Sequence, residues 1–464
     1  MRSTPALLPA LRLAFLLALL LAPGAARADE PPPAAPKPAE AKPAEKPADK
    51  KAAPTYHGEI EGIFQRRCQT CHRPGAIGPM PFTSYKEVAG QAAMIHEVVT
   101  TRRMPPWHAD PKVNTFANSR RLPDAERQAI LDWVDAGAPQ GDPKQAPAPV
   151  TWPDAKAWRI GEPDAVLELP KAFTVPATGV VQYQYTYVKT DFDADKWIKS
   201  MEVQIGAPTV VHHVLVFVIY PDRGKSPRVR GGLRGYFASA LPGDSIAPYP
   251  AGTAKWLPKG STLVFQIHYT PDGTERVDRC KLGLRFAKPE EKITRRARTL
   301  ALSTTSFAIP AGASDHPVRA HYDFQDDTIL FGLTPHMHLR GKTFRYALRY
   351  PDGKTVPLLE IPRWDFNWQN TYRFEQPLFV PKGSRMIGVA TFDNSDKNPA
   401  NPDPSRVVRF GEQTWDEMMI GYLETVDALP EDRAAWEKSQ AEAANPGAEK
   451  PEAGKPEAGK EGQR

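Results

Sequence analysis

Proline divides this chain more sharply than any other residue does. The 464 residues include 50 prolines, about twice the ordinary share of roughly 5%. Residues 29–56 contain the run "PPPAAPKPAEAKPAEKPADKKAAPTY", with almost nothing to bury, and should behave as an extended, semi-rigid, disordered spacer. Residues 429–464, which carry "EKPEAGKPEAGKEG", have the same bias and are expected to form a disordered tail. A third cluster, 143–157, is a Pro-rich joint between two regions of opposite periodicity.

In residues 57–142, Ile60, Ile63 and Phe64 share one helical face, and Ile130, Trp133 and Val134 share another before Gly137 ends the helix. In residues 158–428, "VVQYQYTYV", "VVHHVLVFVIY", "STLVFQIHYT", "DTILFGLTPHMH" and "RMIGVATF" read as short strands, with turns such as Pro351-Asp352-Gly353 between them. The expected fold is therefore multidomain: an all-α domain at 57–142, then two all-β sandwich domains at 158–300 and 301–428. The net charge of +6, from 60 basic and 54 acidic residues, is dispersed and gives no reason to expect a nucleic-acid partner. Three cysteines exclude a disulfide-stapled scaffold. A mean hydropathy of -0.48 excludes a polytopic membrane protein.

Residues 1–28 read as a signal peptide. Arg2 and Arg12 precede the apolar run Leu13 to Ala22, and Ala26-Arg27-Ala28 offers small residues for cleavage. No cysteine follows the cut, so a lipid anchor there is not expected. The mature chain should begin near Asp29, in the periplasm or secreted, with no transmembrane span.

Cys68-Gln69-Thr70-Cys71-His72 has the C-x-x-C-H spacing of covalent haem attachment. Two thiols on one helical turn can add to the two haem vinyls while the adjacent imidazole sits under the iron. A thioredoxin-like disulfide would need a βαβ context, and a zinc site would need a second ligand pair; neither is present in the sequence. For the opposite axial position, Met80, Met94, Met104, His96 and His108 are candidates. Met104 is preferred, because "TRRMPPWHAD" places it just before a Pro pair that can hold the thioether in a rigid loop. With its closing segment "PDAERQAILDWVDAG", this region resembles a class I-type cytochrome c domain.

Five of the 11 histidines occupy three settings on predicted strands. His336 and His338, two apart, should point to the same side and can chelate one ion. His212 and His213 are adjacent, and on a regular strand would point apart; they reach one metal only through a twist or different ring nitrogens. His268 is a lone strand histidine.

Taken in order, "VVHHVLVF", "QIHY", "HMHLRGK" and "WDEMMIGYL" resemble the copper-ligand segments of the type II, ascorbate-dependent monooxygenases. Peptidylglycine α-hydroxylating monooxygenase and dopamine β-monooxygenase belong to that family. The resemblance implies two jelly-roll-like β domains that each hold one copper ion. His212, His213 and His268 would form the electron-storing site. His336, His338 and Met418 would form the site that meets O2, where a thioether favours Cu(I). Met418 rather than Met419 matches the family's Asp-Glu-Met context, and Tyr422 matches its tyrosine. The chain departs from the family in two respects. Cys280 is the only cysteine outside the haem motif, so no disulfide supports either β domain. The peptide-hydroxylating member's carboxylate-binding Arg and Asn fall on Thr334 and Ile420 here.

The expected protein is an exported oxidoreductase with one covalent haem c and two copper ions. It would hydroxylate a C–H bond of a neutral or apolar small molecule with O2. Electrons would come from a periplasmic donor through the haem, with ascorbate or another reductant as the alternative source. The short, stiff joint at 143–157 should keep haem and copper at high effective concentration. The rivals are a multi-centre electron-transfer protein without oxygenase activity and a copper-binding or sensing protein.

Overall fold

The computed structural model describes residues 53–154, 157–221, 235–242 and 249–444. The signal peptide and most of the expected N-terminal spacer lie outside the described residues, as do 445–464.

The first described segment contains four short α-helices, Glu61–Arg67, Tyr85–Ala89, Ala92–Thr100 and Asp124–Asp135, preceded by a π-turn at Tyr56–Ile60. Local signals set their ends. Ser84 and Glu87 form a reciprocal capping box at the second helix. Gly137, with φ +82, takes the left-handed conformation that ends the fourth. Ile60, Ile63, Phe64, Ile130 and Trp133 are buried together in one small core.

This segment corrects the expected fold class. The described residues are mostly β, and the all-α cytochrome c-like domain at 57–142 does not exist as such. Between the third and fourth helices the chain leaves the helical core as an extended strap. Asp110 N donates to Glu360 O at 2.8 Å and Ala117 N to Arg373 O at 2.9 Å. Phe116 bridges to Phe374 and is buried, with Ala109, in the core of the C-terminal β region. The physical reason is readable in the strap, because Pro105, Pro106, Pro111 and Pro123 cannot continue a helix. Trp107 and Phe116 then find apolar surface on the sheet instead. The helices and the β region belong to one compact unit.

The β region is layered, and it fits the expected sandwich content only in part. One sheet of eight strands runs in the order Ala165–Glu168, Lys281–Phe286, Lys196–Gln204, Thr253–Leu257, Arg295–Ser303, Ile420–Asp427, Thr328–His336, Tyr372–Val380. A four-stranded sheet containing Val211–Ile219 and Thr262–Tyr269 covers its first half. Another, containing His316–Asp323, Gly341–Arg349, Thr355–Ile361 and Arg385–Phe392, covers its second half. Each half has its own apolar core. The expected boundary near residue 300 falls inside a strand, Arg295–Ser303, that pairs with both halves: parallel to Thr253–Leu257 and antiparallel to Ile420–Asp427. The halves are thus joined through a continuous sheet rather than linked end to end.

The segment expected to be a disordered tail from 429 begins instead with a helix, Pro430–Ala444. Asp432 pairs with Arg295, Arg433 with Asp327 at 2.5 Å, and Trp436 packs on Phe379 at 5.3 Å. These contacts supply what the helix's own composition does not. Among the described residues no helix is long and apolar enough to cross a membrane.

Candidate functional site

The C-x-x-C-H motif continues the first helix by one turn: Cys68 N bonds Phe64 O at 2.9 Å and His72 N bonds Cys68 O at 2.9 Å. That turn brings Cys68, Cys71 and His72 to the wall of a cavity of about 900 Å³. His72 Nδ1 donates to Met80 O at 3.0 Å, and Phe82 stacks on the ring at 4.5 Å. The Nδ1 bond leaves Nε2 as the available lone pair. Burial pushes the Cys68 thiol up to about 12. Met104, Met80 and Met94 all line the same cavity. His96 instead pairs with Asp135 near the surface at 3.3 Å, and His108 is buried on the strap.

Gly78 is required for this arrangement. A Cβ there would lie 2.7 Å from Cys71 O and 2.8 Å from His72 Nδ1. Gly78→Ala should destabilise the fold by about 1–3 kcal/mol and displace His72, read as a lower urea midpoint. An unchanged midpoint would mean that the 72–80 loop adapts freely.

The cavity's opposite wall comes from the β region: Thr209, Val210, Val211, His212 and Trp368. His212 belongs to a cluster with His213 and His268. A β-bulge explains how adjacent strand residues share it. Val211 registers with Tyr269 and His213 with His268, so His212 is the unmatched extra residue. His212 Nδ1 lies 3.0 Å from His213 Nδ1 and 3.2 Å from His268 Nδ1. Three nitrogens bound to one metal at about 2.0–2.1 Å would sit roughly 3.3–3.6 Å apart, so this set fits an ion with little movement. His212 Nε2 and His213 Nε2 are buried without a hydrogen-bond partner.

His336 ends its strand and His338 lies just beyond, with Met337 between them turned into the C-terminal core. The two imidazole rings are 5.2 Å apart. His336 Nδ1 lies 2.5 Å from Gln369 Oε1, and His338 Nδ1 lies 3.2 Å from Asp416 O. His338 Nε2 is buried without a partner. Glu417 accepts from the backbone N–H groups of His338 at 2.9 Å and Arg340 at 2.6 Å, and burial pushes its carboxyl up to about 8. The two histidine sets are contiguous, since the His213 and His336 rings are 6.4 Å apart. Tyr183 lies edge-on to His268 at 4.8 Å and to His338 at 6.4 Å.

Met418 is buried with Ile420 and Tyr422, whose strand pairs with that of His336. His336 registers with Ile420 and Thr334 with Tyr422, and registered side chains share a face. Met419 instead packs into the C-terminal core. Tyr422 meets Tyr236 at 4.6 Å. Thr334 Oγ1 bonds Thr371 Oγ1 at 2.9 Å and Ile420 is fully buried, so these positions offer no charged partner for a carboxylate.

Burial holds the imidazoles neutral at neutral pH: His212 is pushed down to about 4, His268 to about 3, His336 to about 4, and His213 and His338 well below the usual value. Neutral imidazole is the metal-binding form. In the metal-free protein the sign is clear. Below an unfolded value of about 6.5, the unfolded chain takes protons that His212, His268 and His336 refuse until about pH 3–4 and that buried His213 and His338 also resist, so stability falls as the pH is lowered. The urea midpoint of metal-free protein should drop between about pH 7 and about pH 5; a flat profile would show that the imidazoles are solvated.

Gln369, Phe366, Trp368, Tyr183 and Glu417 were not legible as site residues in the sequence. Only Glu417 had a local signal, its place beside Met418.

No protein-family model matches the chain, and no curated protein matches it. Among solved structures, an allantoicase aligns over 48% of this chain and 80% of its own at 9% identity and a TM-score of 0.15. The VP2 subviral particle of infectious bursal disease virus aligns over 64% and 91% at 9% identity and a TM-score of 0.16. Likenesses this low carry no argument about fold or activity.

Proposed function

We propose that this chain is an exported copper monooxygenase with a covalent haem, hydroxylating a C–H bond of a neutral or apolar small molecule. The observation that supports it best is the convergence of five histidines from both β halves, with His212 also lining the cavity of Cys68, Cys71 and His72. His212, His213 and His268 would hold one copper, and His336, His338 and Met418 the other. Cys68 and Cys71 would carry the haem, and His72 and Met104, which line the same cavity, would hold its iron. The cavity volume and its mostly apolar wall fit such a group. When bound, these groups would supply single-electron transfer and O2 activation.

The chain's own residues bind, orient and exclude water. Asp416 O and Gln369 Oε1 hold the His338 and His336 rings by their Nδ1 atoms. Phe366 covers His212, stacked at 4.8 Å. Tyr236, Tyr422, Ile420 and Phe410 form an apolar surface beside Met418, suited to a neutral substrate. A buried substrate carboxylate would lack a partner at Thr334 and Ile420, at a cost of several kcal/mol. Glycine-extended peptides should therefore turn over poorly.

The deciding experiment is metal analysis with a haem stain on the exported protein, followed by O2 uptake coupled to hydroxylated product. Two coppers, one haem and coupled uptake support the reading. Cofactors without product would favour the electron-transfer or copper-binding alternatives, and absence of copper would end it. Met104→Ala should keep the haem attached but change its spectrum and lower its potential. An unchanged spectrum would move the sixth ligand elsewhere.

A further inference from the structure

The loop 363–370, "RWDFNWQN", joins Thr355–Ile361 to Tyr372–Val380 and touches each part of the candidate site. On the helical side, Arg363 donates to Thr101 O at 3.0 Å and Arg102 O at 2.9 Å. Asn370 Nδ2 donates to Pro106 O at 3.4 Å, and its Oδ1 accepts from Arg120. Asn367 and Trp368 form part of the cavity wall. On the histidine side, Trp364 Nε1 donates to His338 O at 3.2 Å and Phe366 stacks on His212 at an interplanar angle of 14°.

Gln369, 3% exposed, is the junction. Its Nε2 donates to Phe366 O at 3.2 Å, so the amide can present only Oε1 to His336, 2.5 Å away. An acceptor at that point requires the hydrogen on His336 Nδ1 and leaves Nε2 as the ligand atom. One side chain therefore decides the tautomer of His336, and its loop neighbours form the cavity wall.

We propose that Gln369 is the positioning residue of the His336–His338 metal centre, and that its loop links this centre to occupancy of the cavity. The proposal rests on reading the cavity as the haem chamber and the histidines as copper ligands. A group filling the cavity packs against Trp368 and holds the loop, so copper binds more tightly at His336; linkage makes the effect reciprocal.

The test titrates Cu(II) into the haem-loaded full chain, following affinity by chelator competition and each site by its EPR signature. Gln369→Leu should weaken one of the two coppers by about 10–100-fold and alter that copper's EPR signal alone. Gln369→Glu keeps the acceptor and should restore both. Haem-free Cys68→Ala/Cys71→Ala protein should weaken the same copper, as should Arg363→Ala in haem-loaded protein. Native affinity and signal in Gln369→Leu, or failure of Gln369→Glu to rescue them, overturns the positioning role. Equal affinity with and without haem overturns the link. If the unsubstituted chain binds fewer than two coppers, the underlying reading fails, a result visible before any variant is compared.

Discussion

Replacing His336 with alanine is expected to lower hydroxylation by more than the roughly 100-fold that changes in outer-shell partners bring, while one copper stays bound. On the proposed reading the remaining copper would be held by His212, His213 and His268, whose Nδ1 atoms converge without help from His336. Met418→Ala should give the same pattern, because Met418 is buried with Ile420 and Tyr422, which register with His336 and Thr334. Met419→Ala should instead reduce stability, since that side chain fills the core between the sheets. Copper counting, product assay and unfolding separate these outcomes. Full activity in Met418→Ala would remove the thioether from the centre, and loss of both coppers in His336→Ala would show a single shared site.

Arg340→Ala should be the most destabilising polar substitution near the site, by about 3–5 kcal/mol. Arg340 is 1% exposed. Its Nε donates to Asn394 Oδ1 at 2.8 Å and its Nη1 to Trp415 O at 2.9 Å, while its backbone N–H meets Glu417. Removing the guanidinium leaves Trp415 O without that donor and Asn394 Oδ1 with only Asn401 Nδ2, and takes away a cation that acts on the Glu417 carboxyl. The same 415–417 turn supplies Asp416 O to His338, so copper affinity at that centre should fall with stability. Urea unfolding of the metal-free variant, compared with native protein, measures the first effect. A loss below about 1 kcal/mol would show that water replaces the guanidinium.

The local geometry of the candidate ligands was legible in the sequence wherever it depends on short spacing. Cys68, Cys71 and His72 lie on one turn because a helix places residues three and four apart on one side. His336 and His338 face together because strand side chains alternate. Gly137 ends its helix as its neighbours suggest. The strap 105–118 departs from the expected helical domain: its prolines argue against a helix, and its aromatic residues bury against the sheet rather than among the helices. The helix Pro430–Ala444 is not legible in the sequence because its partners, Arg295, Asp327 and Phe379, are distant in the chain.

By itself the sequence determined which residues carry ligand-type side chains, their spacing within each strand or turn, and the β character of 158–428. Only the tertiary structure decided that His212 sits in a bulge beside His213, that both histidine sets form one basin, and that this basin backs onto the cysteine-lined cavity. Only it placed Gln369 against His336. The physical reason is that periodicity specifies the face a side chain occupies. Which faces meet depends on how much apolar surface two distant sheets bury together, a quantity that no local spacing encodes.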